Sequence, residues 1–158
     1  MTQTWSLRPA THADAPWLAA LRAVGLRPDL ERLGRWDDTA EARVRQRFLT
    51  EFVPANTDVI EHEGRPVGAI AVRPEPGEQW LEHFYLDPAV RGLGLGSQVL
   101  DHVLREHRDD RPYRLVVVRG SRAVRLYERA GFVHESDHPN GVDLIMCATG
   151  SRGVPHRP

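Results

Sequence analysis

The sequence predicts an α/β domain around a mixed sheet, and three observations carry that reading. Apolar residues recur at helical spacing early in the chain, at Trp17, Leu18, Leu21 and Val24 and again at Ala40, Val44, Phe48, Leu49 and Phe52. From Thr57 the period drops to two, the mark of strands. Beyond Leu86, helix-like and strand-like stretches alternate as far as Ala148. At 158 residues and 17.9 kDa the chain is long enough to bury one sizeable core. One domain is therefore expected over residues 1–149, followed by a polar, glycine- and proline-bearing flexible tail at 150–158.

Each element has its own signal. Ser6 to Arg8 reads as a short first strand. Thr11, Asp14 and Pro16 are helix-start residues, and Gly25 and Pro28 are expected to end that helix. Asp38 with Glu41 predicts a capping box for a second helix that stops before Pro54. Val59-Ile60, a turn at Glu63-Gly64 and Pro66 to Val72 predict a hairpin. Pro74 to Gly77 is the next turn, leading into a strand from Trp80 to Leu86. Val99, Leu100, Val103 and Leu104 mark a third helix, and the apolar run Leu115 to Val118 a strand covered on both faces. A fourth helix runs from Ser121 to Ala130 with Gly131 as its stop, and Phe132-Val133 and Val142 to Ala148 close the sheet.

Composition removes several classes of function. The net charge is −1, with 21 basic residues against 22 acidic ones, so no basic face suggests nucleic acid or an anionic membrane. No apolar run approaches the ~20 residues of a membrane span, and Met1 to Ala10 lacks the pattern of a secretory signal. Cys147 is the single cysteine, which excludes an internal disulfide and fits a cytoplasmic location. Every basic residue is arginine, which excludes a Schiff-base lysine and a phosphate-loop lysine. The eight histidines show no zinc-ligand spacing, so no metal is expected. His134 and His138 with Asp137 read as a solvated loop or as groups near an acceptor.

The stretch Val90-Arg91-Gly92-Leu93-Gly94-Leu95-Gly96-Ser97 sits between a predicted strand and a predicted helix. Glycines let the backbone turn sharply and let a ligand approach without meeting a Cβ. The first amides of a helix lack intrahelical partners and carry the positive end of its dipole, so the arrangement suits an anion, most often phosphate. A nucleotide phosphate loop would need a lysine, and a dinucleotide fingerprint would need glycine where Ser97 stands.

Arg91-Gly92-Leu93-Gly94-Leu95-Gly96 resembles the acyl-coenzyme A loop of the GNAT superfamily, the Gcn5-related N-acetyltransferases, matching Arg/Gln-x-x-Gly-x-Gly/Ala at each defined position. Phe84-Tyr85-Leu86-Asp87-Pro88 upstream and Leu126-Tyr127-Glu128-Arg129-Ala130-Gly131-Phe132 downstream are similar to the family's flanking motifs. The likeness covers roughly residues 5 to 148 and is to the small, single-domain bacterial type. It implies a mixed, mostly antiparallel sheet with about four helices, and acetyl-CoA as cosubstrate bound by Arg91 to Ser97. Members usually carry an asparagine six or seven residues before the tyrosine; Gly120 and Ser121 stand there instead. Ser121 either takes over that contact with the cofactor's pantetheine arm or caps the helix.

The resemblance implies direct acetyl transfer to an amine within a ternary complex. The amine must be neutral, the developing oxyanion stabilised and the leaving thiolate protonated. Family analogy points to Tyr127 as the acid, since a phenol is protonated at neutral pH. Backbone amides at Tyr85 and Leu86 would meet the oxyanion. Glu82 is the leading candidate base, through a water; His83 is its rival, with an ordinary pKa near 6.5; a substrate that deprotonates unaided needs neither. Cys147 is expected in the core.

The acceptor wall implied by the family includes Trp36 and Asp37, an aromatic face and a carboxylate for a cationic amine, or else a staple and cap for the second helix. A small-molecule amine is the first expectation, with a protein N-terminus or lysine second. A non-catalytic acyl-CoA-binding sensor or interaction module is the alternative from another class. Dimerisation is common among relatives, so a homodimer is compatible.

Overall fold

The structure is a computed structural model and describes residues 4–149; the tail expected at 150–158 lies outside the described residues. Seven strands form one sheet in the order β1-β2-β3-β4-β5-β7-β6. They are β1 (Trp5–Pro9), β2 (Thr57–His62), β3 (Arg65–Glu75), β4 (Glu78–Leu86), β5 (Tyr113–Val118), β6 (Val133–Asp137) and β7 (Asp143–Ala148). The helices are α1 (Ala15–Arg32), α2 (Ala40–Glu51), α3 (Leu95–Glu106) and α4 (Ala123–Arg129). Most of the sheet is antiparallel, and β4 runs parallel to β5, so the expected class holds. The described residues form two compact units: those up to Val72 with His83–Leu93, and Arg73–Glu82 with those from Gly94 to Thr149.

In the first unit β2 lies antiparallel between β1 and β3. The β2–β3 turn is Glu63-Gly64, both with positive φ (51° and 79°), as a tight two-residue hairpin turn requires. Leu18 and Ala19 of α1 and Phe48 of α2 pack with Ala69 of β3, and Trp17, Leu21, Phe52 and Tyr85 surround them. Helix α1 outruns the expected stop by a full turn, since Pro28 lies inside it. Proline forfeits one amide bond near the end of the helix, and Arg27–Glu31 (3.4 Å) and Arg32–Asp29 (2.6 Å) ion pairs span that turn. The chain leaves the helix at Gly34, whose φ is 69°. The entry to α2 also differs from expectation: Asp37, not Asp38, organises it, accepting from the amide (2.9 Å) and hydroxyl (2.8 Å) of Thr39.

Before α1, the buried Asp14 carboxylate collects both Arg8 Nη atoms (3.0 and 2.9 Å), the Thr11 amide (2.9 Å) and Trp17 Nε1 (3.1 Å). The Arg8 guanidinium holds this carboxyl well below the usual range, against the opposing effect of burial.

In the second unit the buried face of α3 is Leu95, Val99, Leu100, Val103 and Leu104. The Tyr113 hydroxyl donates to Leu104 O (2.7 Å), and burial pushes its pKa up to about 12. Buried Gln79 donates to His107 O (2.8 Å), so its amide is satisfied. Strand β7 inserts between β5 and β6. The β6–β7 turn is tied by Asn140 Oδ1, which accepts from the amides of Val142 (2.9 Å) and Asp143 (3.0 Å). Strand β5 departs from expectation: Leu115 and Val117 are buried and so is Val118, but Val116, on the same side as Val118, is 46 % exposed, so the second face is only partly covered.

Candidate active site

Strand β4 delivers the chain into the glycine loop. The Asp87 amide donates to Val67 O (2.7 Å), and its carboxylate accepts from Ala89 N (2.9 Å), capping a single 3₁₀ turn at Pro88–Val90. Gly92 (φ 82°) and Gly94 (φ 75°) then take left-handed conformations that a side chain would strain. Gly94 is the N-cap of α3, and its carbonyl accepts the first helical bond, from Gln98 N (3.2 Å). A Cβ at Gly92 would meet nothing within 4 Å, and one at Gly94 only Gln98 Nε2 at 3.8 Å. These glycines therefore serve the turn and an open surface rather than close packing. Arg91, Gly92, Leu93, Gly94 and Ser97 are exposed, Gly96 is half-buried, and Leu95 turns into the core. An exposed, side-chain-poor turn at the N-terminus of a 12-residue helix fits a phosphate-bearing ligand.

Upstream of the loop, β4 breaks its own alternation. Gln79 and Leu81 are buried and Glu78, Trp80 and Glu82 half-buried, but from His83 onward all residues are half-buried. His83 has φ 49°, a conformation that a non-glycine residue rarely holds without compensation. The simple two-faced division of Glu82, Phe84 and Leu86 from His83 and Tyr85 therefore does not carry through the strand. Pairing of β4 with β5 covers Gln79–Leu81 against Tyr113–Leu115, while the strands continue to Leu86 and Val118.

The two candidate bases have different surroundings. Glu82 Oε1 accepts from Arg73 Nε (2.8 Å), and the same arginine pairs with Glu75 and lies over the Trp80 ring. His83 instead joins an aromatic group, edge-on to Phe48 (centroids 5.0 Å) and 6.2 Å from the Tyr85 ring. Gly68 makes room for this strand: a Cβ there would stand 2.1 Å from Tyr85 O and 3.0 Å from Leu86 Cδ2.

In the second unit, Tyr127 of α4 is 8 % exposed and packs edge-on against Phe132 (5.8 Å), whose amide donates back to Tyr127 O (3.0 Å). Gly131, φ 101°, turns the chain between them. Ser121 Oγ accepts from Ala123 N (3.2 Å), so it stands at the start of α4 as a cap-like residue and retains its hydroxyl proton as a donor. Cys147 is half-buried rather than deep in the core, and burial pushes its thiol pKa up, away from nucleophile chemistry. His134 pairs with Asp137 (3.0 Å) on the exposed β6 strand.

The two acceptor candidates are already engaged. The Arg27 guanidinium lies over the Trp36 ring at 5.3 Å, and the Asp37 carboxylate, 65 % exposed, is held by Thr39 and Arg43. The Asp37 contacts are local to the start of α2, whereas the Trp36 contact is to Arg27 of α1. Sequence reasoning missed two arginines: Arg73, which holds Glu82, and Arg22, whose guanidinium lies 5.9 Å over the Tyr85 ring. A signal existed for Arg22, because it follows Leu18 by four residues on the apolar stripe of α1.

The fold and loop together define a class, a mixed α/β sheet with an exposed glycine turn opening a helix. Family comparison makes it specific: a model of the acetyltransferase (GNAT) domain matches residues 52–134, just over half of the chain. The chain belongs to this family of acetyltransferases. It is 33% identical over 60 residues to the spermine/spermidine N(1)-acetyltransferase of Bacillus subtilis. That match takes in 35% of this chain and 40% of the relative, so less than half of the relative's length is spanned. Among solved structures, the fold is similar to the PaiA N-acetyltransferase of Thermoplasma acidophilum in complex with coenzyme A (TM-score 0.74, 18% identity, 93% of this chain and 99% of that one). It is also similar to a Corynebacterium glutamicum protein described as histone acetyltransferase HPA2 and related acetyltransferase (TM-score 0.71, 22% identity, 98% and 100%).

Proposed function

We propose that this chain is an acetyl-CoA-dependent N-acetyltransferase, a single domain over residues 1–149, which moves an acetyl group to the primary amine of a small molecule by direct transfer in a ternary complex. The observation that carries the reading is the Gly92–Gly94 turn at the N-terminus of α3, in a chain of the GNAT family. The coenzyme A complex of the Thermoplasma structure and the polyamine activity named for the Bacillus relative support the cosubstrate and the small-molecule acceptor respectively.

Acetyl-CoA supplies the activated acyl thioester. The backbone amides of the Gly92–Ser97 loop and the Arg91 side chain bind its phosphates, and the Ser121 hydroxyl donates to its pantetheine arm. Backbone amides at Tyr85 and Leu86 hold the carbonyl oxygen as negative charge develops on it. Glu82, kept in place by Arg73, takes the proton of the incoming amine through a water, by its oxygen not engaged with Arg73 Nε. Tyr127 gives its phenolic proton to the leaving sulfur.

One observation favours a second reading. Tyr127 is buried against Phe132, as a purely packing tyrosine would be, and a non-catalytic acyl-CoA-binding module would need no more. The deciding experiment is thiol release from acetyl-CoA with a panel of small amines, for the wild type and Tyr127→Phe. Turnover lost in the variant supports the enzyme; tight acetyl-CoA binding without turnover on any amine supports the module.

A further inference from the structure

We infer that Arg22 recognises a carboxylate on the acceptor, so that the substrates are amines that also bear a carboxylate rather than polyamines; the inference rests on the acetyltransferase reading above. Arg22 lies on α1 with its side chain only 14% exposed. Its Nε and Nη1 are buried, and neither has a hydrogen-bond partner among the described residues. Buried donors are almost always satisfied, and each orphan is costly to keep.

The nearest anion does not answer the need. Glu51 Oε1 stands 3.9 Å from Arg22 Nη1, beyond hydrogen-bond reach, and that same oxygen already accepts from Arg47 Nε at 2.8 Å. Arg22 thus shares this carboxylate with Arg47, which is largely exposed, and Arg22 Nε and Nη1 still lack a hydrogen bond. A planar guanidinium fork matches the two oxygens of a carboxylate, as it does those of a phosphate, and a carboxylate is the anionic group an amino-acid acceptor carries.

The position joins Arg22 to the candidate chemistry. Its guanidinium lies 5.9 Å over the Tyr85 ring, Tyr85 lies 6.2 Å from the His83 ring, and His83 lies 5.0 Å from Phe48. All four residues belong to the first unit. A carboxylate on Arg22 would set its substrate along this aromatic wall, with His83 of β4 as part of it. Arg22 is therefore a positioning and specificity residue, not one that handles the transferred group.

The test compares α-amino acids, each beside the amine that lacks only its carboxylate, with spermidine included. Thiol release is read for the wild type, Arg22→Gln and Arg22→Lys. At least one amino acid should be preferred about tenfold or more over its matched amine. Arg22→Gln should erase that preference through KM with kcat nearly unchanged, and Arg22→Lys, which keeps the charge but not the fork, should fall between. Preference for spermidine, or an Arg22→Gln effect equal on both members of each pair, overturns the inference while leaving the enzyme intact. Calorimetric titration of the same pairs in the presence of coenzyme A gives a readout free of turnover. If no amine is acetylated, the acetyltransferase reading fails; carboxylate-dependent binding lost in Arg22→Gln would still support the site, and no binding by any pair would overturn it.

Discussion

Gly68 and Tyr85 lie so close that a Cβ on the glycine would stand 2.1 Å from the tyrosine's carbonyl oxygen. β3 thus has no spare volume where β4 approaches the glycine loop. Gly68→Ala is expected to push β4 outward, lower stability by about 3 kcal/mol or more and weaken acetyl-CoA binding. Thermal melts and calorimetry of the variant check both effects; an unchanged melting temperature would mean the strand has room that the structure denies.

The hydrogen bond from Arg73 Nε to Glu82 Oε1 (2.8 Å) separates two contributions to turnover. Glu82→Gln removes the proposed proton acceptor and should lower kcat by roughly 10²-fold at neutral pH. Arg73→Gln leaves the carboxylate but unties it, with an expected loss of only about tenfold. His83→Asn, which keeps a residue tolerant of positive φ, should cost less than Glu82→Gln. The reverse order would move the base to His83.

Tyr127→Phe keeps the ring that packs on Phe132 and removes only the hydroxyl. Melting temperature and acetyl-CoA affinity should stay as in the wild type, while kcat falls by about 10²-fold. An unaffected kcat would assign Tyr127 to packing alone.

Asp14 predicts an acid limb to stability. Its folded pKa lies well below the ordinary 3.8, chiefly through its hydrogen bonds from Arg8. A depressed carboxylate contributes stability fully above the unfolded value and loses it as pH falls through the folded one. The melting temperature should therefore fall below about pH 4, and Asp14→Asn should flatten that limb. Arg8 is about one-third exposed, so solvent screens the pair and the bonds from Thr11 and Trp17 matter as much. The expected cost of Asp14→Asn at pH 7 is about 2 kcal/mol.

Strong periodicity made the elements legible, and local competition hid their details. Glu63-Gly64 and Gly131 were readable because glycine at a turn has a direct conformational meaning. Pro28 misled, since one missing amide bond does not end a helix whose last turn is held by Asp29–Arg32 and Arg27–Glu31 pairs. Val116 misled because an all-apolar run looks the same whether or not each of its residues is covered. The loop from Arg91 to Ser97 was legible as a contiguous motif. Arg22 and Arg73 were not, because their contacts cross from one element to another, to Tyr85 and to Glu82 of β4.

The most direct test of the account is calorimetric titration of acetyl-CoA into the wild type and Gly94→Glu. That variant sets a side chain at φ 75° and a negative charge at the N-terminus of α3. The account predicts micromolar-range binding by the wild type, about −8 kcal/mol, lost in a variant whose circular dichroism remains native. Equal binding by both proteins, or none by a folded wild type, would contradict the claim that this loop holds the cosubstrate.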